Sequence, residues 1–127
     1  MAKSLAEAKI STVLVPDAAL YAFMSRVNKV IIGAHAVQAN GGVFSVTGSS
    51  LAALAARAHS TPVIVCTGQF KMSPHWNLNH QYAALDFGDP EQVLNSSDAN
   101  VPDDVDVINP AFDYIGPESI DVFITNL

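Results

Sequence analysis

The residues best able to do chemistry gather in VIIGAHAVQANGGVFSVTGSS, from Val30 to Ser50. Gly33, His35, Asn40, Gly41, Gly48 and Ser49 fall in this one stretch. Glycines let backbone approach a ligand closely, and a helix opening at Ser49 or Ser50 would present free N–H groups and a partial positive charge. An imidazole at His35 could move a proton. Together these would suit a phosphorylated small molecule held at the end of a strand. No G-x-G-x-x-G, phosphate-loop or nucleophile-elbow pattern accompanies them. His35 therefore also reads as an ordinary hydrogen-bonding residue at a strand end. His75 and His80 lack the spacing and the extra Cys or carboxylate ligands of a zinc site, so no metal is expected. Cys66, the single cysteine, closes an apolar strand and reads as a small core residue rather than a nucleophile.

These residues need a scaffold, and the flanking pattern supplies one. Residues 2 to 9 have helical character. Ser11 to Val15 reads as a short buried strand, and Pro16-Asp17 stops it, with Asp17 placed to cap a helix whose inner face carries Leu20, Phe23, Met24 and Val27. Lys29 to Ile32 reads as a strand whose Val30 to Ile32 run is continuously apolar, as in strands covered on both faces, and Gly33 ends it. A helix over Leu51 to Ala58 would turn Leu51, Leu54, Ala55 and Ala58 inward. His59-Ser60-Thr61-Pro62 breaks it, and Val63 to Cys66 is a further strand. Alternation of strand and short helix predicts an α/β, Rossmann-like parallel sheet flanked by helices, with ligands at the carboxyl ends of its strands.

From Thr67 to Asn109 the pattern weakens into a long surface excursion, disordered in part around residues 95 to 104, with a helical turn at Pro90 to Leu94. Order returns in FDYIGPESIDVFITNL, where Phe112, Tyr114 and Ile115 form a strand, Pro117 opens a helical turn and Phe123 to Thr125 is apolar again. There is no internal repeat. The chain reads as a single α/β domain over residues 1–127, a piece of a larger protein.

The chain has 127 residues, half of them hydrophobic, and its apolar runs are strand-sized, far below the ~20 residues of a membrane span. MAKSLAEAK lacks the apolar core of a secretory signal, and one cysteine cannot make an internal disulfide, which fits a reducing, cytoplasmic setting. All six Lys and Arg lie at or before Lys71, whereas most of the twelve Asp and Glu lie at or after Asp86. A formal net charge of -6 without a basic groove argues against direct nucleic-acid binding.

The runs DAALYAFMSRVNKVIIGAHAVQANGGVFSVTGSSLAALAARAHSTPVIVC, FKMSP, PEQVL and NPAFDYIGPESIDVFITNL resemble the C-terminal part of the regulatory alpha, beta and delta subunits of eukaryotic translation initiation factor two-B. SRVNKVIIG, VTG, HSTPVIVC and FKMSP look most like the beta pattern, while GAHA also looks like delta; the segments around Asn77 and Asn95 depart most. The resemblance implies a partial C-terminal domain without its N-terminal helical domain. It also implies a non-catalytic scaffold of the guanine nucleotide exchange factor for translation initiation factor 2. Its partners would be homologous alpha and delta subunits, the catalytic subunits and the initiation factor itself, with no cofactor. Contact residues would lie around Ala18 to Arg26 and Phe112 to Leu127.

The same family includes sugar-phosphate isomerases acting on methylthioribose phosphate and ribose bisphosphate. Those enzymes are similar here as G-A-D, then N-G, then N-K-I-G-T. The resemblance implies an acid/base aspartate where this chain has His35, and a substrate-holding Asn-Lys pair where it has Ser45 and Val46. Imidazole changes the proton-transfer geometry, and valine removes a charge-assisted phosphate contact worth about 1.5–3 kcal/mol. The enzymes' catalytic cysteine lies upstream of the matching segment, and Cys66 stands elsewhere. The expected site is therefore a vestigial ligand loop of Gly33, His35, Asn40, Gly41, Gly48 and Ser49 with no catalytic residue. An isomerase or sugar-phosphate sensor, with Asn40, Gly41, Gly48 and Ser49 around a phosphate, is the alternative, and a generic α/β interaction domain is the third.

Overall fold

The computed structural model describes residues 1–76, 86–95 and 105–126. Among these residues three α-helices, α1 (Ala2–Glu7), α2 (Leu20–Met24) and α3 (Ser49–Ala58), accompany six strands. The strands are β1 (Val30–Gly33), β2 (Ala36–Val37), β3 (Val43–Val46), β4 (Val63–Cys66), β5 (Phe112–Ile115) and β6 (Val122–Ile124). They form two three-stranded sheets, ordered β1-β4-β6 and β2-β3-β5. The first is parallel, with Val30 opposite Val63 and Ile64 opposite Val122. The second is antiparallel and folds the glycine-rich stretch and the returning strand together, with Val43 opposite Ile115 and Ser45 opposite Asp113.

Strand alternation sorts the parallel sheet into two unequal faces. Val63 and Val65 are fully buried, and Val30 and Ile32 pack with them against α2, α3 and the antiparallel sheet. Ile31, one residue out of phase, is 67% exposed. The expectation that β1 is covered on both faces is thus corrected: its apolar run is continuous, but only the even-numbered half meets a neighbour among the described residues. The core proper is Met24, Ala53, Ala55, Ala56, Val63 and Ile115, with Ala34, Val37, Val43 and Val65 beside it.

Helix α3 turns Ala55 to the core as expected, but otherwise a different face. Ala53, Ala55 and Ala56 are buried, whereas Leu51 and Leu54 are 67% and 55% exposed and Ala58 is also outside. Both stripes have helical spacing, so periodicity cannot choose between them. Close approach chooses the alanines: their methyl groups let the helix backbone sit against β1, β3 and β5, where leucines would hold it off. The leucines border instead a groove toward α2, with Leu20 and Tyr21 on its other wall.

Ser11 to Val15 is not a strand, because no described strand lies beside it to complete a ladder; Val13 and Leu14 are exposed. Asp17 does not cap the helix: it is the first residue of a 3₁₀ turn (Asp17–Ala19) leading into α2, and Pro16 holds the N-cap position. Met24 is the buried member of the face expected around it, Leu20 packs on the core, and Phe23 and Val27 are exposed. The turns at Pro90–Gln92 and Pro117–Ser119 are 3₁₀, each with proline at its start. Residues 96 to 104, within the stretch expected to lack order, lie outside the described residues.

Candidate functional site

The carboxyl end of β1 opens into a cleft of about 330 Å³ lined by Ile32, Gly33, Ala34, His35, Ser45, Val46, Ser49, Lys71 and Phe112. This is where a parallel α/β sheet ordinarily receives a ligand. Gly33, His35 and Ser49 meet there as expected from the sequence. Asn40 and Gly41 do not line it. They form the tip of the β2–β3 hairpin, where Gly41 has φ +83° and the Gly41 N–H donates to Gln38 O at 2.9 Å. Asn40 Oδ1 accepts from the Gly42 N–H at 2.9 Å, and Asn40 Nδ2 donates to Tyr114 Oη at 2.8 Å. Gly42 is needed for a reason the sequence did not disclose: a Cβ there would run into the Tyr114 ring.

The start of α3 is the most informative feature. Gly48, at φ +95°, is its N-cap, and neither Ser49 nor Ser50 caps it. The cap comes from across the antiparallel sheet. The Gly48 N–H donates to Asp113 Oδ2 at 2.8 Å, and the Ser50 N–H reaches both carboxylate oxygens at 3.2 and 3.3 Å. Two of the amides expected to receive a phosphate, those of Gly48 and Ser50, therefore already hold an anion of the chain's own. Partial burial raises the Asp113 pKa above its ordinary value, against the lowering effect of backbone donors at Ser50, Gly48 and Asp113 itself.

Within the cleft, Ser45 Oγ donates to Gly33 O at 2.8 Å and lies 3.0 Å from Ser49 Oγ. The His35 ring stacks on Phe112 with centroids 4.2 Å apart and planes at 25°, while its backbone N–H donates to Phe44 O at 2.7 Å. That stacking makes His35 part of the cleft's wall. Lys71, which sequence reasoning passed over, is the cation of the cleft. It sits in a 3₁₀ turn (Gln69–Lys71) beyond β4, and its Nζ donates to Ala34 O at 2.6 Å. Its signal was the FKMSP run, read only as a mark of resemblance. Cys66 is exposed at the end of β4, a correction to the core reading: the strand alternation that buries Val63 and Val65 turns Cys66 to the open face. Among the described residues no three His, Cys, Asp or Glu side chains gather as a metal site, and His80 lies outside them.

The model of the initiation factor 2 subunit family matches residues 1–127. The chain belongs to that family. It is 42% identical over 127 residues, its whole length, to translation initiation factor eIF2B subunit beta of Schizosaccharomyces pombe. To the corresponding subunit of Dictyostelium discoideum it is 45% identical over 124 residues, 98% of the chain. The chain spans about a third (32%) of the length of each of these curated relatives. A more distant family member, the ribose 1,5-bisphosphate isomerase of Pyrococcus furiosus, is 35% identical over 125 residues, 98% of this chain and 38% of that enzyme. Among solved structures, eIF2B beta from Chaetomium thermophilum superposes with a TM-score of 0.68 at 30% identity, covering 95% of this chain and 30% of that one. A chain of the tetrameric eIF2B-beta2-delta2 complex from C. thermophilum gives 0.67 at 31% identity, covering 97% of this chain and 33% of that one. This family fold is the α/β arrangement expected from the sequence. No described helix is long and apolar enough to cross a membrane.

Proposed function

We propose that the chain is part of a non-catalytic regulatory subunit of the guanine nucleotide exchange factor for translation initiation factor 2. It pairs there with homologous subunits, a delta-type subunit first among them, and helps to receive the initiation factor. The observation that carries this reading is the end-to-end match to eIF2B beta subunits at 42% and 45% identity. The chemistry of the cleft supports it. The residues that would do isomerase work by resemblance are replaced: His35 is stacked on Phe112, Ser45 is tied to Gly33, and Val46 carries no charge. The Gly48 and Ser50 amides at the start of α3 are taken by Asp113. The sugar-phosphate reading retains one favourable observation, the cation of Lys71, against these.

The reading is tested by co-expressing the full-length protein with a delta-type subunit and measuring the mass of what elutes together. A stable complex of both chains is expected. A homo-oligomer that leaves the delta-type subunit behind would overturn it.

A further inference from the structure

The cleft at the end of β1 retains a charge that no described carboxylate balances. Lys71 Nζ is partly buried; it donates to Ala34 O at 2.6 Å and lies over the Phe70 ring, 6.0 Å from its centroid, and no carboxylate pairs with it among the described residues. An ammonium has three N–H donors, so two remain for other partners. A cation held in a concave site with spare donors favours an anion beside it.

The remaining walls limit which anion. Ile32, Ala34, Val46 and Phe112 contribute hydrocarbon, and Val46 is 66% exposed, its side chain uncovered. The Ser45 hydroxyl is spent on Gly33 O and lies against Ser49, and the His35 ring is stacked face-on against Phe112, so few polar groups are turned toward a polyol. A phosphate dianion would need a second source of positive potential. The nearest natural one, the N-terminus of α3, already carries the Asp113 carboxylate. From these contacts the geometry points to a cleft for a small monocarboxylate with an apolar body, its carboxylate on Lys71 and its hydrocarbon against Val46 and Phe112. This goes beyond the assembly role, which stands or falls by subunit association.

The test uses the full-length protein, in the assembly with which it copurifies, titrated with benzoate and in parallel with ribose 5-phosphate. Binding is read by calorimetry and by saturation transfer to the ligand's protons. Benzoate should bind saturably, and Lys71→Met should weaken it roughly tenfold or more, the loss expected of one charge-assisted contact. Lys71→Arg should stay within about threefold, because the charge is kept. Each variant's recovery of partner subunits reports separately on folding and assembly. Three results would overturn the inference: no saturable benzoate binding, binding indifferent to Lys71→Met, or tighter binding of ribose 5-phosphate than of benzoate.

Discussion

Asp113 joins three elements: it lies on β5, pairs with Ser45 of β3 and caps α3 through the Gly48 and Ser50 amides. Asp113→Ala removes that acceptor. A hydrogen bond to a charged group contributes about 1.5–3 kcal/mol, but the Ser50 contacts are long and the site is partly open to water, so the cost should resemble loss of a helix N-cap, about 1–2 kcal/mol. For a domain of this size that lowers Tm by about 4–10 °C. Asp113→Asn keeps one acceptor without the charge and should cost about half as much. The pH dependence has a definite sign. Burial raises the folded-state pKa above the ordinary value of 3.8, so between the two values the native state binds more protons than the unfolded chain. The contribution of Asp113 to stability therefore falls as pH rises through its native pKa and is recovered on acidification toward 3.8. Thermal unfolding followed by circular dichroism should show the wild-type protein gaining on Asp113→Asn as the pH falls through that window. Amide exchange should accelerate at Gly48 and Ser50 in Asp113→Ala. Unchanged exchange at those amides, or a wild-type advantage that grows with rising pH, would refute the reasoning.

Gly42→Ala should displace the Tyr114 ring and break its bond with Asn40, costing about 1–3 kcal/mol in chemical denaturation. Gly48→Ala places a side chain at φ +95° and should cost about 1–2 kcal/mol by the same measurement, through strain alone, since a Cβ there meets open space. The phase of α3 is tested by a pair of variants. Ala53→Leu should lose about 1–3 kcal/mol by overpacking, while Leu54→Gln should change the stability of the isolated chain by no more than about 0.5 kcal/mol.

The sequence was most legible where period and punctuation agreed. Val63 to Cys66, bounded by Pro62, is the strand expected, and the proline-led turns at Pro90 and Pro117 stand where those residues put them. It misled where two physical demands shared one pattern. In α3, side-chain size argued for buried leucines, and close helix-to-sheet approach placed alanines there instead. β1 is apolar throughout, yet it is covered on one face among the described residues. The glycine-rich stretch looked like an open loop because β2 is only two residues long and its pairing with β3, and of β3 with β5, is non-local. The same distance hid Asp113, whose role depends on β5 returning beside β3 from more than sixty positions away in the chain.

The central claim is membership in the exchange factor's regulatory assembly. Its most direct test is affinity purification of the full-length protein from its own cells, with quantitative mass spectrometry of what accompanies it. Near-equal recovery of the other exchange-factor subunits is predicted. Recovery of this protein alone, as a homo-oligomer, would contradict the account.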